Sequence, residues 1–123
     1  MNKEQQTLLL AYFDEEIRTC TQRKNALTLD NRKDEAAFEK IRANVYDIFR
    51  TILLTAVKLH GNDEKRIEAF YVQKMEQIPG NWVISYEKAL QFGDDIKMLT
   101  EEIKLDTIRK IRVKSFQIME GEQ

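Results

Sequence analysis

The most regular hydrophobic pattern of the chain lies between residues 38 and 59. Apolar side chains recur there every three or four residues, which is the period of one face of an α-helix. These side chains are Phe38, Ile41, Val45, Ile48, Phe49, Ile52, Ala56 and Leu59. After Thr51 the pattern widens, because Leu53, Leu54 and Val57 add apolar groups to other faces. A helix that is apolar on all faces must be covered on all faces, so we predict that residues 32–60 form the central helix of an all-α bundle.

Turn residues and the same helical period predict four further helices. They span residues 3–27, 63–77, 82–91 and 95–119. Pro79-Gly80-Asn81 separates the third helix from the fourth, because proline disfavours helical backbone in the residue before it and asparagine can cap a new helix. The two short helices together are as long as the central one. We therefore expect an antiparallel up-down-up-down four-helix bundle with one helix broken at Pro79-Gly80; the alternative is a five-helix array in which the chain reverses there.

The length of 123 residues predicts a single helical domain over residues 1–123. Twenty basic residues against 21 acidic ones leave a net charge of -1, so no overall field attracts nucleic acid or an anionic membrane. The first apolar run ends at Asp14, too early for a membrane span. Cys20 is the only cysteine and excludes an intramolecular disulfide. These features predict a cytoplasmic protein that does not bind membranes.

The chain contains no motif for metal, nucleotide or covalent chemistry. His60 is the only histidine. The residue three positions before it is Val57, so the Glu-x-x-His motif of di-iron bundles is absent. We expect His60 to lie in the last turn of the central helix, and Cys20 to be a buried apolar residue. Pairs of acids such as Glu101-Glu102 are typical of a solvated helix surface. We therefore expect neither a metal nor a cofactor, and a protein that is not an enzyme.

Five aromatic residues surround the predicted break at Pro79. Such side chains more often fill irregular space in a core, but they also line pockets for small apolar or aromatic ligands. The candidate pocket residues are Phe70, Tyr71, Trp82, Tyr86 and Phe92.

The last helix ends in a basic cluster between Arg109 and Lys114. Four positive charges without an intervening acid could bind phosphates. The same helix begins with Asp94 and Asp95, and acids at the start with bases at the end are what the helix dipole favours. Nucleic-acid binding through residues 109–114 is therefore the weakest of the binding hypotheses.

The second halves of the central and last helices carry more apolar surface than a small bundle readily covers. Surplus apolar surface usually marks a protein contact. The leading hypothesis is thus a non-enzymatic protein that associates with itself as a homodimer; a ligand-binding module near Trp82 is the alternative. The candidate oligomer contact consists of Leu53, Leu54, Val57, Ile108, Ile111, Phe116 and Met119.

Overall fold

The computed structural model describes residues 1–121 and contains helices alone as regular structure in that range. The helices are α1 (Lys3–Leu29), α2 (Lys33–His60), α3 (Glu64–Gln77), α4 (Pro79–Phe92) and α5 (Asp95–Met119). The predicted all-α bundle is confirmed.

A single residue, Ile78, separates α3 from α4. Its backbone is itself helical, with φ -60° and ψ -43°. Pro79 is the first residue of α4, where its fixed φ is suitable and its missing N–H would have no helical partner anyway. The two helices therefore form one interrupted pass, as the four-helix prediction requires. The predicted start of the fourth helix, Trp82, was three residues too late, because Pro79 is itself the first residue of α4.

Polar caps and left-handed residues close the helix ends. The side chain of Asp94 accepts a hydrogen bond from the backbone N–H of Lys97 at 3.1 Å and so caps α5. Gly93 has a φ of 68° and ends α4, and glycine adopts this left-handed conformation without steric cost. The turn between α4 and α5 is therefore short, and the two helices run back along each other.

The core is arranged around α2, which packs against α1, α3 and α5. Val45, Phe49, Leu53 and Ala56 are buried and lie on one face of α2, since successive residues differ in direction by about 100°. Of the residues that widen the apolar pattern after Thr51, Leu53 is buried, Val57 is half-buried and Leu54 is exposed, so the chain does not cover this helix on all sides as predicted.

The contacts of α4 and α5 with their neighbours differ in extent. α4 packs mainly against α5, and α5 meets α1 over a smaller interface. That interface is tied at one end by Gln5, whose side-chain Nε2 donates to the carbonyls of Ile118 and Met119 at 3.1 and 3.2 Å. The second half of α5 is thus part of the core, whereas its first half has α4 as its principal neighbour.

One buried hydrogen bond fixes α3 against α5. The hydroxyls of Tyr71 and Ser115 lie 2.8 Å apart, and both residues are fully buried. Burial raises the pKa of Tyr71 above its ordinary value, so the phenol keeps its proton at neutral pH. Buried hydroxyls without a partner lose the hydrogen bonds that water would make. The pair therefore favours this alignment of the two helices over a slipped one.

Replacing Ser115 by alanine should leave the Tyr71 hydroxyl buried without its partner. We expect the free energy of unfolding to fall by about 1–3 kcal/mol, the usual cost of an unsatisfied buried group. Urea unfolding followed by circular dichroism measures this loss. The double variant Tyr71→Phe/Ser115→Ala is the control, because it removes both hydroxyls; it should lose less than the sum of the two single variants. Additive losses would show that the two hydroxyls do not interact.

Candidate functional site

The five aromatic residues of the predicted ligand pocket do not surround a common cavity. Tyr71 is fully buried and bonded to Ser115, and the Trp82 ring lies edge-on to Phe49 with centroids 6.5 Å apart. Phe70 lies beside His60, and Phe92 is 79% exposed at the end of α4. Tyr86 lines a shallow groove on the α4–α5 surface. The structure therefore distributes these side chains between the core and several surfaces.

The residues of the predicted oligomer contact are also separated. Leu53, Ile108 and Ile111 are buried in the core of the single chain, because α2 and α5 pack against each other there. Side chains covered in this way are not available to a second copy, so these three residues are removed from the predicted contact. Leu54 and Phe116 are exposed.

The remaining two residues of that predicted contact are half-buried. Met119 packs against the core. Val57 lines a cleft at the end of the bundle where α1 begins and α2 ends. Val57 lies three residues after Leu54 on α2, and Met119 lies three residues after Phe116 on α5, so each pair shares one side of its helix. The predicted contact is thus reduced to these two pairs.

The basic cluster divides into two pairs. Successive residues of a helix differ in direction by about 100°, so Lys110 and Lys114 lie on one side of α5 and Arg109 and Arg112 lie on another. Arg109 forms an ion pair with Asp106. Lys114 lies over the ring of Tyr12, with its Nζ 5.9 Å from the centroid. Three of these bases, Arg109, Lys110 and Lys114, border one depression of the surface.

Two glutamates are buried, which the sequence pattern did not predict. Glu101 is only 3% exposed, and its Oε1 accepts from Lys104 Nζ at 3.3 Å while its Oε2 has no partner among the described residues. Glu39 is bonded to Arg42 at 2.8 Å and also has an unpartnered Oε2. The expectation that Glu101 is solvated was wrong, because Glu101 lies two helical turns before Ile108, on the side of α5 that faces the core. An acidic pair at a helix start carries no sign of this cover.

The structure exposes apolar side chains where α4 turns into α5. Phe92 and Ile96 flank the turn and are 79% and 80% exposed. We call the surface formed by the turn and its exposed apolar residues the α4–α5 tip; its residues are Leu90, Phe92, Ile96 and Leu99. Farther along α4, Val83 and Ile84 are exposed as well. Exposed large apolar residues are ordinary when scattered, but a group of this kind in one hairpin is characteristic of a contact surface.

The periodicity of the sequence did not identify this tip. Ile96, Leu99 and Ile103 share one face of the last helix, which indicates a packing face, yet only Ile103 is buried. Ala89 and Leu90 are neighbouring apolar residues near the end of α4, yet Ala89 is buried and Leu90 is exposed. An apolar stripe shows where a helix can pack, and exposure depends on whether a neighbour reaches it.

A groove runs between α1 and α5 at the edge where these helices meet sparsely. It consists of two cavities of about 460 and 390 Å³ that share Tyr12 and Lys114. Burial raises the pKa of Tyr12 to about 12, so its phenol is neutral. We call this feature the α1–α5 groove; its apolar lining is Leu8, Ala11, Tyr12, Val113 and Ile118, and its charged lining is Glu15, Arg109, Lys110 and Lys114.

Neither a metal centre nor a membrane span is apparent in the part of the chain that the structure describes. Among residues 1–121, no three His, Cys, Asp or Glu side chains are arranged to hold a metal ion. None of the helices there combines the length and hydropathy that a membrane crossing requires.

Comparisons of the chain with protein-family models, with curated proteins and with solved structures found no significant match. The tip and the groove are the two surface features of the described residues that we consider as candidate contact sites.

The thiol of Cys20 should be nearly inert in the folded protein. It is buried, and burial together with the nearby Glu39 carboxylate raises its pKa to about 11 from the ordinary value of 9.0. At pH 8 the folded protein should then hold roughly 100-fold less thiolate than the unfolded chain, before any steric protection is considered. Labelling with a disulfide reagent at pH 8, with and without urea, measures the difference.

A matched control for this labelling is the variant Cys20→Ala/Thr21→Cys. It moves the thiol by one residue to a position whose side chain is exposed. This variant should react rapidly without urea. Equally fast labelling of the original Cys20 would contradict the buried, protonated state.

Proposed function

We propose that the protein acts by association with a second copy of itself, and that the α4–α5 tip forms one side of the contact. The observation that carries this proposal is the exposure of Phe92 and Ile96, each about four-fifths open to solvent beside a two-residue turn. In this proposal the protein is non-enzymatic and cytoplasmic, as expected from its sequence.

The size of the tip favours a concentration-dependent association. Burial of one fully exposed Leu, Ile or Phe side chain stabilises by about 1.5–3 kcal/mol; because the tip residues are 41–80% exposed, the four together contribute roughly 4–8 kcal/mol. Association itself costs about 4–15 kcal/mol in lost freedom of motion. The two quantities are comparable, and the tip by itself therefore gives weak binding that further contacts have to strengthen.

The alternative functions have less support from the geometry. A ligand module near Trp82 requires several aromatic side chains around one cavity. Of the five candidates, Tyr86 alone lines the groove on the α4–α5 surface. Nucleic-acid binding requires a continuous basic face, whereas Arg109 is paired with Asp106, and Arg112 lies on a different side of α5 from Lys110 and Lys114. Self-association is favoured because the exposed apolar residues of the tip lie close to one short turn.

Replacing both Phe92 and Ile96 by serine should prevent association. Losing the burial of two such side chains should raise the dissociation constant about 100-fold or more. Size-exclusion chromatography with light scattering, over concentrations from micromolar to several hundred micromolar, measures the mass against the 14.6 kDa of one chain.

The control variant for this test is Leu59→Ser. Leu59 is 62% exposed and lies at the other end of the bundle, where α2 ends. It should associate like the original protein. A mass of 14.6 kDa for the original protein at every concentration would refute the proposal, as would undiminished association of the Phe92→Ser/Ile96→Ser variant.

A further inference from the structure

The two ends of α5 present surfaces of opposite charge. Residues 89–103, which include the tip, contain four acids and one base, Lys97; Glu101 is buried, which leaves Asp94, Asp95 and Glu102 at the surface. The α1–α5 groove, at the other end, is bordered by three bases and by Glu15. The tip is thus an apolar surface with acids, and the groove is an apolar surface with bases.

The groove is suited to apolar side chains. Its two depressions are shallow and open, so side chains of another molecule can reach them. Val113 is 60% exposed beside it, and the half-buried ring of Tyr12 lies between its two parts. Within residues 1–121, Lys110 and Lys114 have no carboxylate at ion-pair distance, so both ammonium groups are available to an acidic partner.

The tip and the groove cannot meet within one chain. Asp95 and Lys114 are 19 residues apart on the same straight element, which corresponds to roughly 29 Å at the helical rise of about 1.5 Å per residue. Contact between these surfaces therefore needs two copies.

The charges also decide between two ways of pairing. If two tips met about a twofold axis, Asp94 and Asp95 of one copy would lie near the same acids of the other, and like charges at close range repel. If a tip entered a groove, the acids would lie near Lys110 and Lys114. The second arrangement buries the same apolar residues and replaces repulsion by attraction.

We infer that the α4–α5 tip of one copy docks into the α1–α5 groove of a second copy, head to tail. This inference rests on the proposed self-association and names its second surface. Phe92 and Ile96 fill the apolar part of the groove, and Asp94 and Asp95 lie beside the bases of α5. Two antiparallel copies make this contact twice and close as a dimer, whereas copies that point the same way retain a free groove and a free tip and grow into a ring or a chain.

The test uses two variants that each lose one surface. The groove variant is Lys110→Glu/Lys114→Glu, and the tip variant is Phe92→Ser/Ile96→Ser. Each should be monomeric alone, because one side of every contact is defective. An equimolar mixture should form a single 1:1 complex with twice the mass of one 14.6 kDa chain, since the intact tip of the groove variant fits the intact groove of the tip variant.

The original protein provides two further readouts. Its mass should increase with concentration from that of one chain to that of a dimer or more. Added salt should lower the mass, since the contact includes exposed charges that salt screens.

Two further variants and two folding measurements show whether an effect comes from loss of the groove, from the change in net charge or from misfolding. Lys58→Glu/Lys65→Glu makes the same change in net charge at exposed lysines of α2 and α3, and it should assemble like the original protein. Val113→Asp places an acid beside the groove without changing a lysine, and it should weaken assembly as the groove variant does. Far-ultraviolet circular dichroism and thermal unfolding identify any variant that fails to fold.

The outcomes separate the inference from the proposed function. If the groove variant and Val113→Asp assemble normally while the tip variant is monomeric, the inference is overturned and tip-mediated association stands. A mixture of the two defective variants that forms no complex, or a charge control that is monomeric, also overturns the inference. If the original protein is itself monomeric, or the tip variant assembles normally, the proposed function fails as well.

Discussion

The structure depends on the burial of one apolar face of α2. Phe49, Leu53 and Ala56 lie on this face and are fully buried. The helices α1, α3 and α5 all pack against α2, so they converge on this helix. The burial of Ile108 and Ile111 on α5 is the other side of the same contact. Leu54, on another side of α2, remains exposed, so the core uses one face of this helix and not its whole circumference.

This arrangement has a consequence for the rest of α5. Because its second half is required in the core, its first half extends beyond that contact and has α4 as its main neighbour. A pair of helices can bury only the faces that they turn towards each other. Ala89 and Ile103 are buried, while Leu90, Ile96 and Leu99 are not. The tip is thus the part of the last hairpin for which the chain has no further helix.

The helices and their connections could be predicted from local sequence, whereas the surfaces could not. The α-helical period, the turn at Gly93 and the break at Pro79 depend on residues close together in the chain, and the predicted four-helix architecture is confirmed. Burial depends on which distant helix arrives at a given face. For this reason Ile96 was assigned to a packing face and is exposed, and Glu101 was assigned to the surface and is buried. The α1–α5 groove is also a product of packing, because it arises where two helices that are distant in sequence meet incompletely.

The polarity of the proposed association follows from the order of charges along α5. Acids in the first turn of a helix interact favourably with its dipole, as Asp95 does in α5. The bases from Arg109 to Lys114 lie before the last turn of α5, which contains no base, so they contribute little to the dipole interaction. In α2, by contrast, Lys58 and His60 lie in the last turn, and Arg32 at its start is paired with Glu35. In α5 the acidic end coincides with uncovered apolar residues, and the basic stretch borders an open apolar groove. These charges are complementary between two copies, and the direction of the helix sets the direction of the assembly.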